Sequence, residues 1–133
     1  MLSRIDDEIG FMQKALGLHA QRQNLLAGNI ANADTPNYKA VDIDFVKALR
    51  EAGGAGQVTG LATTASGHMQ PAGIDPTGAR TQYRSALQPS VDNNTVDMDV
   101  ERSQFIDNAV RYQFALDRVS SKFKTIEMAI RGQ

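Results

Sequence analysis

Two histidines, two closely spaced aspartate groups and a complete lack of cysteine bound the chemistry this chain can carry. His19 falls on an apolar helical stripe, where a hydrogen-bonded structural imidazole is the ordinary occupant. His68 stands in a glycine-rich stretch with no second histidine beside it to make a metal pair. Without Cys there is no thiolate nucleophile, no thiolate metal site and no disulfide. That composition also suits an oxidising compartment, where nothing could mispair. No Gly-x-Ser-x-Gly, His-Glu-x-x-His or phosphate-binding loop occurs. The run Asp92-Asn93-Asn94-Thr95-Val96-Asp97 starts like a calcium loop. An EF-hand begun at Asp92 would need Gly where Asp97 stands and Glu where Ser103 stands. A polar turn leading into a helix cap is the better reading. The pair Asp42 and Asp44 sits in the alternation Val41-Asp42-Ile43-Asp44-Phe45, which predicts an extended piece with its acids outward and apolar groups inward. The expectation is a protein that is not an enzyme, with no catalytic, cofactor-binding or metal residues.

The most informative segment is Asn29-Ile30-Ala31-Asn32-Ala33-Asp34-Thr35-Pro36-Asn37-Tyr38-Lys39-Ala40. Asn is a poor residue for a helix interior, but its amide can bond backbone groups at helix ends and turns. Pro36 restricts Thr35 to extended conformations and stops the helix. Asn37 tolerates a positive φ, so Tyr38 can fold its ring back onto the helix end. A generic helix stop needs only one or two of these features.

The elements that must position this turn divide the chain into three parts. Residues 1–35 read as an N-terminal helix, 36–96 as a turn and Gly-rich middle with little regular structure, and 97–133 as a C-terminal helix. Together they make one domain, which the length of 133 residues allows. In the first part Ile5, Ile9, Met12, Leu16, His19, Gln23, Leu26 and Ile30 alternate four and three apart, a heptad-like stripe with two polar interruptions. In the last part Phe105, Ala109, Tyr112, Leu116, Val119, Phe123, Ile126 and Ile130 follow the same alternation. Asp97 is placed to cap that helix, Asp99 and Glu101 face its positive end, and Arg131-Gly132 closes it. Each helix would be roughly 45–50 Å long. The middle, with Gly53-Gly54-Ala55-Gly56 and Pro71, Pro76 and Pro89, is poor in large apolar residues. It is expected to be loop with short strands, partly disordered in the free subunit. Phe45–Arg50 reads as one short helical stretch.

The fold class that results is mainly α: long N- and C-terminal heptad helices paired as a coiled-coil-like hairpin. Such a pair leaves two apolar rows without partners, Phe11/Leu18/Leu25 on the first helix and Ile106/Val110/Phe114 on the second. Exposed apolar surface of that kind marks an interaction site. No third long helix is available to cover these rows, so the chain reads as part of an assembly.

The charges exclude other classes. Lys plus Arg number 14 and Asp plus Glu 15, without the basic excess of a duplex-binding module. No run of about 18 apolar residues predicts a transmembrane helix. The acids Asp6-Asp7-Glu8 interrupt any apolar core of a secretory signal, so no cleaved signal is expected, and a protein of this kind would need another route to leave the cytoplasm.

The turn segment resembles the N-terminal motif of the flagellar axial proteins of rod and hook: Leu-x-x-x-Asn-hydrophobic-x-Asn followed by a Thr-x-Gly/Asn-Tyr/Phe turn. Here it reads Leu25-Leu26-Ala27-Gly28-Asn29-Ile30-Ala31-Asn32-Ala33-Asp34-Thr35-Pro36-Asn37-Tyr38. The continuation Lys39–Phe45 is similar to the B-type branch of the proximal rod. So are Thr64, His68 and Met69, the stretch Asn94–Asp99, Arg111-Tyr112-Gln113 and the ending Ala129-Ile130-Arg131-Gly132. Asn37 stands where many axial relatives carry Gly, a mild departure. The short middle argues against hook and distal-rod relatives, which insert larger domains there.

The resemblance implies a structural subunit of the bacterial flagellar basal-body rod, self-assembling with other rod proteins into a helical drive shaft and the wall of an export channel. It implies Asn29, Asn32, Thr35, Pro36, Asn37 and Tyr38 as the family turn. Implied partners are other copies of the chain, the C-type and F-type rod proteins, the export-gate adaptor at the rod base with the membrane ring, and the flagellar type III export apparatus. Nucleic acid and direct membrane insertion are not among them. The implied location is the periplasmic rod, reached without a cleaved signal peptide. The alternatives are another small axial subunit such as the C-type rod protein, a cytoplasmic coiled-coil adaptor that would leave the Asn-rich turn unexplained, and a small enzyme.

Overall fold

The computed structural model describes residues 2–51, 53, 79–85 and 90–132. Within them the chain runs α1 (Leu2–Ala31), β1 (Val41–Ile43), α2 (Phe45–Arg50), β2 (Thr81–Tyr83) and α3 (Met98–Arg131). The two long helices end where capping chemistry places them. The Asp97 carboxylate accepts from the backbone N–H of Asp99 and of Val100 at 3.1 and 3.2 Å, which satisfies two donors of the first turn of α3. At the other end Gly132 takes φ 73°, and its N–H donates to the carbonyl of Met128. Only glycine adopts that left-handed conformation without steric cost.

The helices pair antiparallel. Glu8 meets Lys122, His19 meets Asn108 and Asn29 meets Glu101, so residue numbers rise along one helix as they fall along the other. The contact face of α3 is wider than the one that apolar spacing predicts, with Ala109 and Leu116 of the expected stripe also half-buried. Its most buried residues are Glu101 and Asn108. The half-buried positions Phe105, Tyr112, Ala115, Val119, Lys122 and Ile126 continue the same four-three alternation. Phe105, Tyr112, Val119 and Ile126 belong to both stripes. Phe123 and Ile130, expected on the seam, are 53% and 81% exposed. Past Lys122 the partner helix approaches its own start, and among the described residues no third element covers that end.

Where it is described, the middle segment holds one short helix and two short strands. β1 and β2 pair antiparallel with Val41 opposite Tyr83, Asp42 opposite Gln82 and Ile43 opposite Thr81. α2 follows directly, its N-terminus capped by Asp44, whose side chain accepts from the N–H of Lys47 at 3.0 Å. This unit packs on α1. Leu18, Ile43, Ala48 and Ala79 form a buried cluster, with Leu25, Phe45 and Leu49 packed against it.

That packing corrects the expectation that Phe11, Leu18 and Leu25 lack partners. Leu18 is fully buried and Leu25 half-buried, because Ile43 and two alanines present enough apolar surface to cover them. Phe11 remains 40% exposed beside Gly53, where an added Cβ would come within 3.5 Å of its ring. On α3, Ile106, Val110 and Phe114 are 64–65% exposed. The glycine-rich stretch 54–78, with Thr64, His68 and Met69 and the disorder expected of it, lies outside the described residues.

Backbone protection should therefore be graded along the pair. Amide hydrogen exchange of the full chain should be slowest at Leu18–Asn29 and Glu101–Asn108. It should be faster by about tenfold or more at Phe123–Arg131, where burial fades. Equal protection along all of α3 would contradict this packing.

Candidate assembly site: a polar knot beneath the family turn

The turn after α1 is closed from a distance. Asn32 donates through its side-chain amide to the carbonyl of Gly28 at 2.8 Å and receives the Thr35 hydroxyl on its amide oxygen at 3.2 Å. Asn37 takes φ 62°, the left-handed region that Asn enters at least cost among residues with a Cβ. Its N–H donates to the carbonyl of Asp92 at 2.9 Å. The carbonyls that the helix end leaves open point at Asn94. The side-chain nitrogen of Asn94 lies 3.0, 2.7 and 3.0 Å from the carbonyl oxygens of Asn32, Ala33 and Thr35. Its amide oxygen accepts the N–H of Val96 at 2.8 Å. Asn94 is 5% exposed, so it stands in for water at a buried helix terminus. Asn29 and Asn32 were expected to satisfy this end; Asn94 shares that work, and the sequence marks it only as part of the stretch Asn94–Asp99 that resembles the family.

Below the turn, Asn29 and Glu101 are buried side by side. The Asn29 amide donates to the carbonyl of Val41 at 2.8 Å and to Glu101 Oε2 at 3.1 Å. Its oxygen accepts the N–H of Val41 at 3.0 Å and the Tyr38 hydroxyl at 3.3 Å. One side chain thus holds the first residue of β1 by both backbone groups and takes the folded-back tyrosine. Glu101 is paired to Arg84, with Nη1–Oε1 at 3.1 Å and Nη2–Oε2 at 3.3 Å. Arg84 follows β2, and its N–H extends the strand ladder to the carbonyl of Ala40.

Asp42 completes the knot. Arg22 grips it with two hydrogen bonds of 2.9 Å, reaches Gln104 at 3.2 Å, and Arg84 approaches the same carboxylate at 3.5 Å. Asp42 therefore faces α1, not solvent as the alternation suggests, because a guanidinium there offers it a two-pronged partner. Asp42, through its hydrogen bonds and its charge, raises the Arg22 guanidinium further above its usual value, against the opposing effect of burial. Two acids and two guanidiniums balance to zero net charge, the condition under which buried ions persist.

Ten residues before Asn29 on α1, nearly three turns back toward the helix start, His19 forms a second polar contact. Asn108 donates to the carbonyl of His19 at 2.9 Å and to Gln23 Oε1 at 2.6 Å. With its nitrogen so committed, Asn108 offers its oxygen to His19 Nδ1 at 2.9 Å, which places the ring proton there. The ring also lies on Phe45, centroids 4.4 Å apart. His19 is the satisfied structural imidazole that its position on the stripe predicts.

Among the described residues every buried side-chain nitrogen and oxygen has a partner, and no cluster of His, Cys, Asp and Glu could hold a metal ion. No helix among them is long and apolar enough to cross a membrane. Of the expected turn residues, the structure brings Asn29, Asn32, Thr35 and Tyr38 into one hydrogen-bonded unit with Asn37 at its corner. Pro36 is exposed and acts through the backbone. Arg22, Arg84, Asn94, Glu101 and Asn108 were not foreseen. The available signal was the seven-residue spacing of Glu101 and Asn108, in phase with Tyr112 and Val119.

A family model described as flagella basal body rod protein matches residues 11–39, the helix and turn that carry this geometry. The flagellar basal body rod protein FlgB of Escherichia coli (strain K12) is 47% identical, covering 93% of this chain and 93% of the relative. The FlgB of Salmonella typhimurium is 45% identical with 99% of each covered. The chain belongs to the flagellar basal body rod proteins. The FlgB of Aeromonas hydrophila, 42% identical over all of this chain and 99% of its own length, places it in the same branch. The protein is a structural subunit of the rod, located in the flagellar basal body and assembling with other components there. The C-type alternative is not favoured.

For a rod protein the turn must hold one geometry. Asn94→Ala removes the amide facing three carbonyls and should cost about 1–3 kcal/mol in urea unfolding followed by circular dichroism. Asn37→Gly should be neutral within error, and Asn37→Val should cost about 1–2 kcal/mol more from backbone strain. Parent-like unfolding of both Asn94→Ala and Asn37→Val would remove any special role for the turn.

Proposed function

We propose that this rod subunit builds the proximal rod with α1 and α3 as its tube-forming layer and the β1–α2–β2 unit as the part turned toward neighbouring subunits. The observation that carries the reading is the row Ile106, Val110 and Phe114. It is broadly exposed on the face of α3 that points away from α1. A chain whose function is assembly leaves such a row for another subunit to cover. Its occupants in the rod are other copies of the chain and the C-type and F-type rod proteins. The export-gate adaptor and the membrane ring lie at the base. In this reading the subunit reaches the periplasm through the flagellar type III export apparatus without a cleaved signal peptide. It then serves as drive-shaft material and channel wall, and no reaction is assigned to it. The turn from Asn32 to Tyr38 sets the angle at which the chain leaves the helix layer.

Phe114→Asp should separate folding from assembly. The isolated variant should keep the parent's helical content, since Phe114 lies off the α1–α3 seam, and should be exported to the periplasm. It should fail to enter basal bodies, where a buried unpaired charge is costly. Leu26→Asp, on the fully buried face of α1, should damage both folding and incorporation. Normal basal bodies and motility with Phe114→Asp would refute the exposed row as an assembly surface.

A further inference from the structure

We propose that the two buried polar contacts between α1 and α3 fix the register of the helix pair, so that Asn108 and the Glu101–Arg84 pair act as unlike pins that forbid a one-heptad slip. The case starts from the weakness of the apolar signal. The stripe on α1 repeats every seven residues, and so do Phe105, Tyr112, Val119 and Ile126 on α3. Sliding one helix past the other by a heptad, about 10 Å, would match apolar groups again and lose only contacts at the ends. Dispersion and area burial alone therefore choose poorly among registers.

The polar pins do choose. They stand seven residues apart on α3, at Glu101 and Asn108, and ten apart on α1, at Asn29 and His19. Their chemistry is not interchangeable. At the first, a carboxylate meets an amide nitrogen and a guanidinium. At the second, an amide meets a ring nitrogen, a backbone carbonyl and a Gln oxygen. A slip in one direction would bring Ala115 to His19 and Gln23, leaving both without the amide, and would set Asn108 against the Arg84 charge with no carboxylate to offer. A slip in the other direction would set Glu101 against the carbonyl of His19 and the oxygen of Gln23, where a carboxylate has no proton to donate. Either way fully buried polar groups lose their partners, and such losses are costly. Specifying register is the best-attested use of a polar group in a helix seam.

The absence of cysteine makes the test clean. Glu8 and Lys122 touch in the native register. The pair E8C/K122C therefore reports that register, whereas E8C/A115C and E8C/A129C report slips of one heptad in each direction. A bismaleimide linker shorter than one heptad separates these cases. The dilute full chain is crosslinked in the parent background, with Asn108→Leu, and with Glu101→Leu plus Arg84→Leu, which removes both charges together. A Leu26→Met background perturbs the apolar seam alone. The parent and Leu26→Met should crosslink through positions 8 and 122. In the depinned backgrounds the ratio of native to slipped crosslinks should fall about tenfold or more, the factor that about 1.4 kcal/mol of register preference represents. Unchanged crosslinking through 8 and 122 in both depinned backgrounds would overturn the proposal. So would loss of helical circular dichroism together with every crosslink, because the polar contacts would then carry stability and not register.

Discussion

A carboxylate sits where a helix pair usually keeps a leucine. Glu101 is 1% exposed between α1 and α3, and nearly everything around it follows from the need to keep that charge compensated. An uncompensated buried carboxylate is not tolerated, so a cation must come to it. Arg84 comes from the end of β2, and docks that strand in doing so. The remaining acceptor capacity takes the Asn29 amide, and the same Asn29 then grips Val41 by both backbone groups and so anchors β1. Asp42, brought in by β1, takes Arg22 and approaches Arg84, which returns the charge to zero. A two-stranded sheet of three-residue strands would not hold by itself. Here it is tied to the long helices by ions and amides.

The apolar interior could not perform that task. The buried hydrophobic residues among those described are Leu18, Leu26, Ala40, Ile43, Ala48 and Ala79, half of them alanine. Buried ion pairs add little net stability, because desolvation consumes most of their attraction. What they add is direction. A guanidinium fork accepts a carboxylate in few orientations, and an amide that bonds both backbone groups of one residue admits one strand position. The subunit is thus defined more by the geometry of its polar contacts than by the volume of its core.

The long helices, their caps, the left-handed Asn37 and the family turn were legible in the sequence, because each rests on interactions within a few residues or on one period. Asp97 and Gly132 act on the helix they flank, and Pro36 on its neighbour. Phe45–Arg50 was also recognisable as a short helix. The pairing of the two long helices was legible as well, from their matched heptads, but most other features that depend on residues far apart did not read. The partner of the helix end, Asn94, lies 62 residues beyond Asn32, and no local pattern points to it. The cover on Leu18 and Leu25 comes from Ile43, Ala48 and Ala79, too small and too scattered to register as a hydrophobic segment. On α3 the expected stripe is half-buried at six of its eight positions, and what it left out are the two polar residues Glu101 and Asn108, buried deepest beside it.

That inversion connects the fold to the function. In a soluble hairpin of two amphipathic helices the apolar faces meet and the polar faces see water. α3 shifts this arrangement over its first half. Polar groups are placed inside, where Asn29, Arg84, His19 and Gln23 match them one by one, and Ile106, Val110 and Phe114 are left outside. Apolar burial is the non-directional driving force, at roughly 25 cal/mol per Å². Directional, low-yield polar contacts shape the subunit, while Ile106, Val110 and Phe114 stay exposed, the surface we propose for burial against other chains. For a structural component of a rod this is a sound division. The shape of each subunit is set by interactions specific to its own side chains, and in the proposed assembly the free energy still available from apolar burial is released when subunits meet.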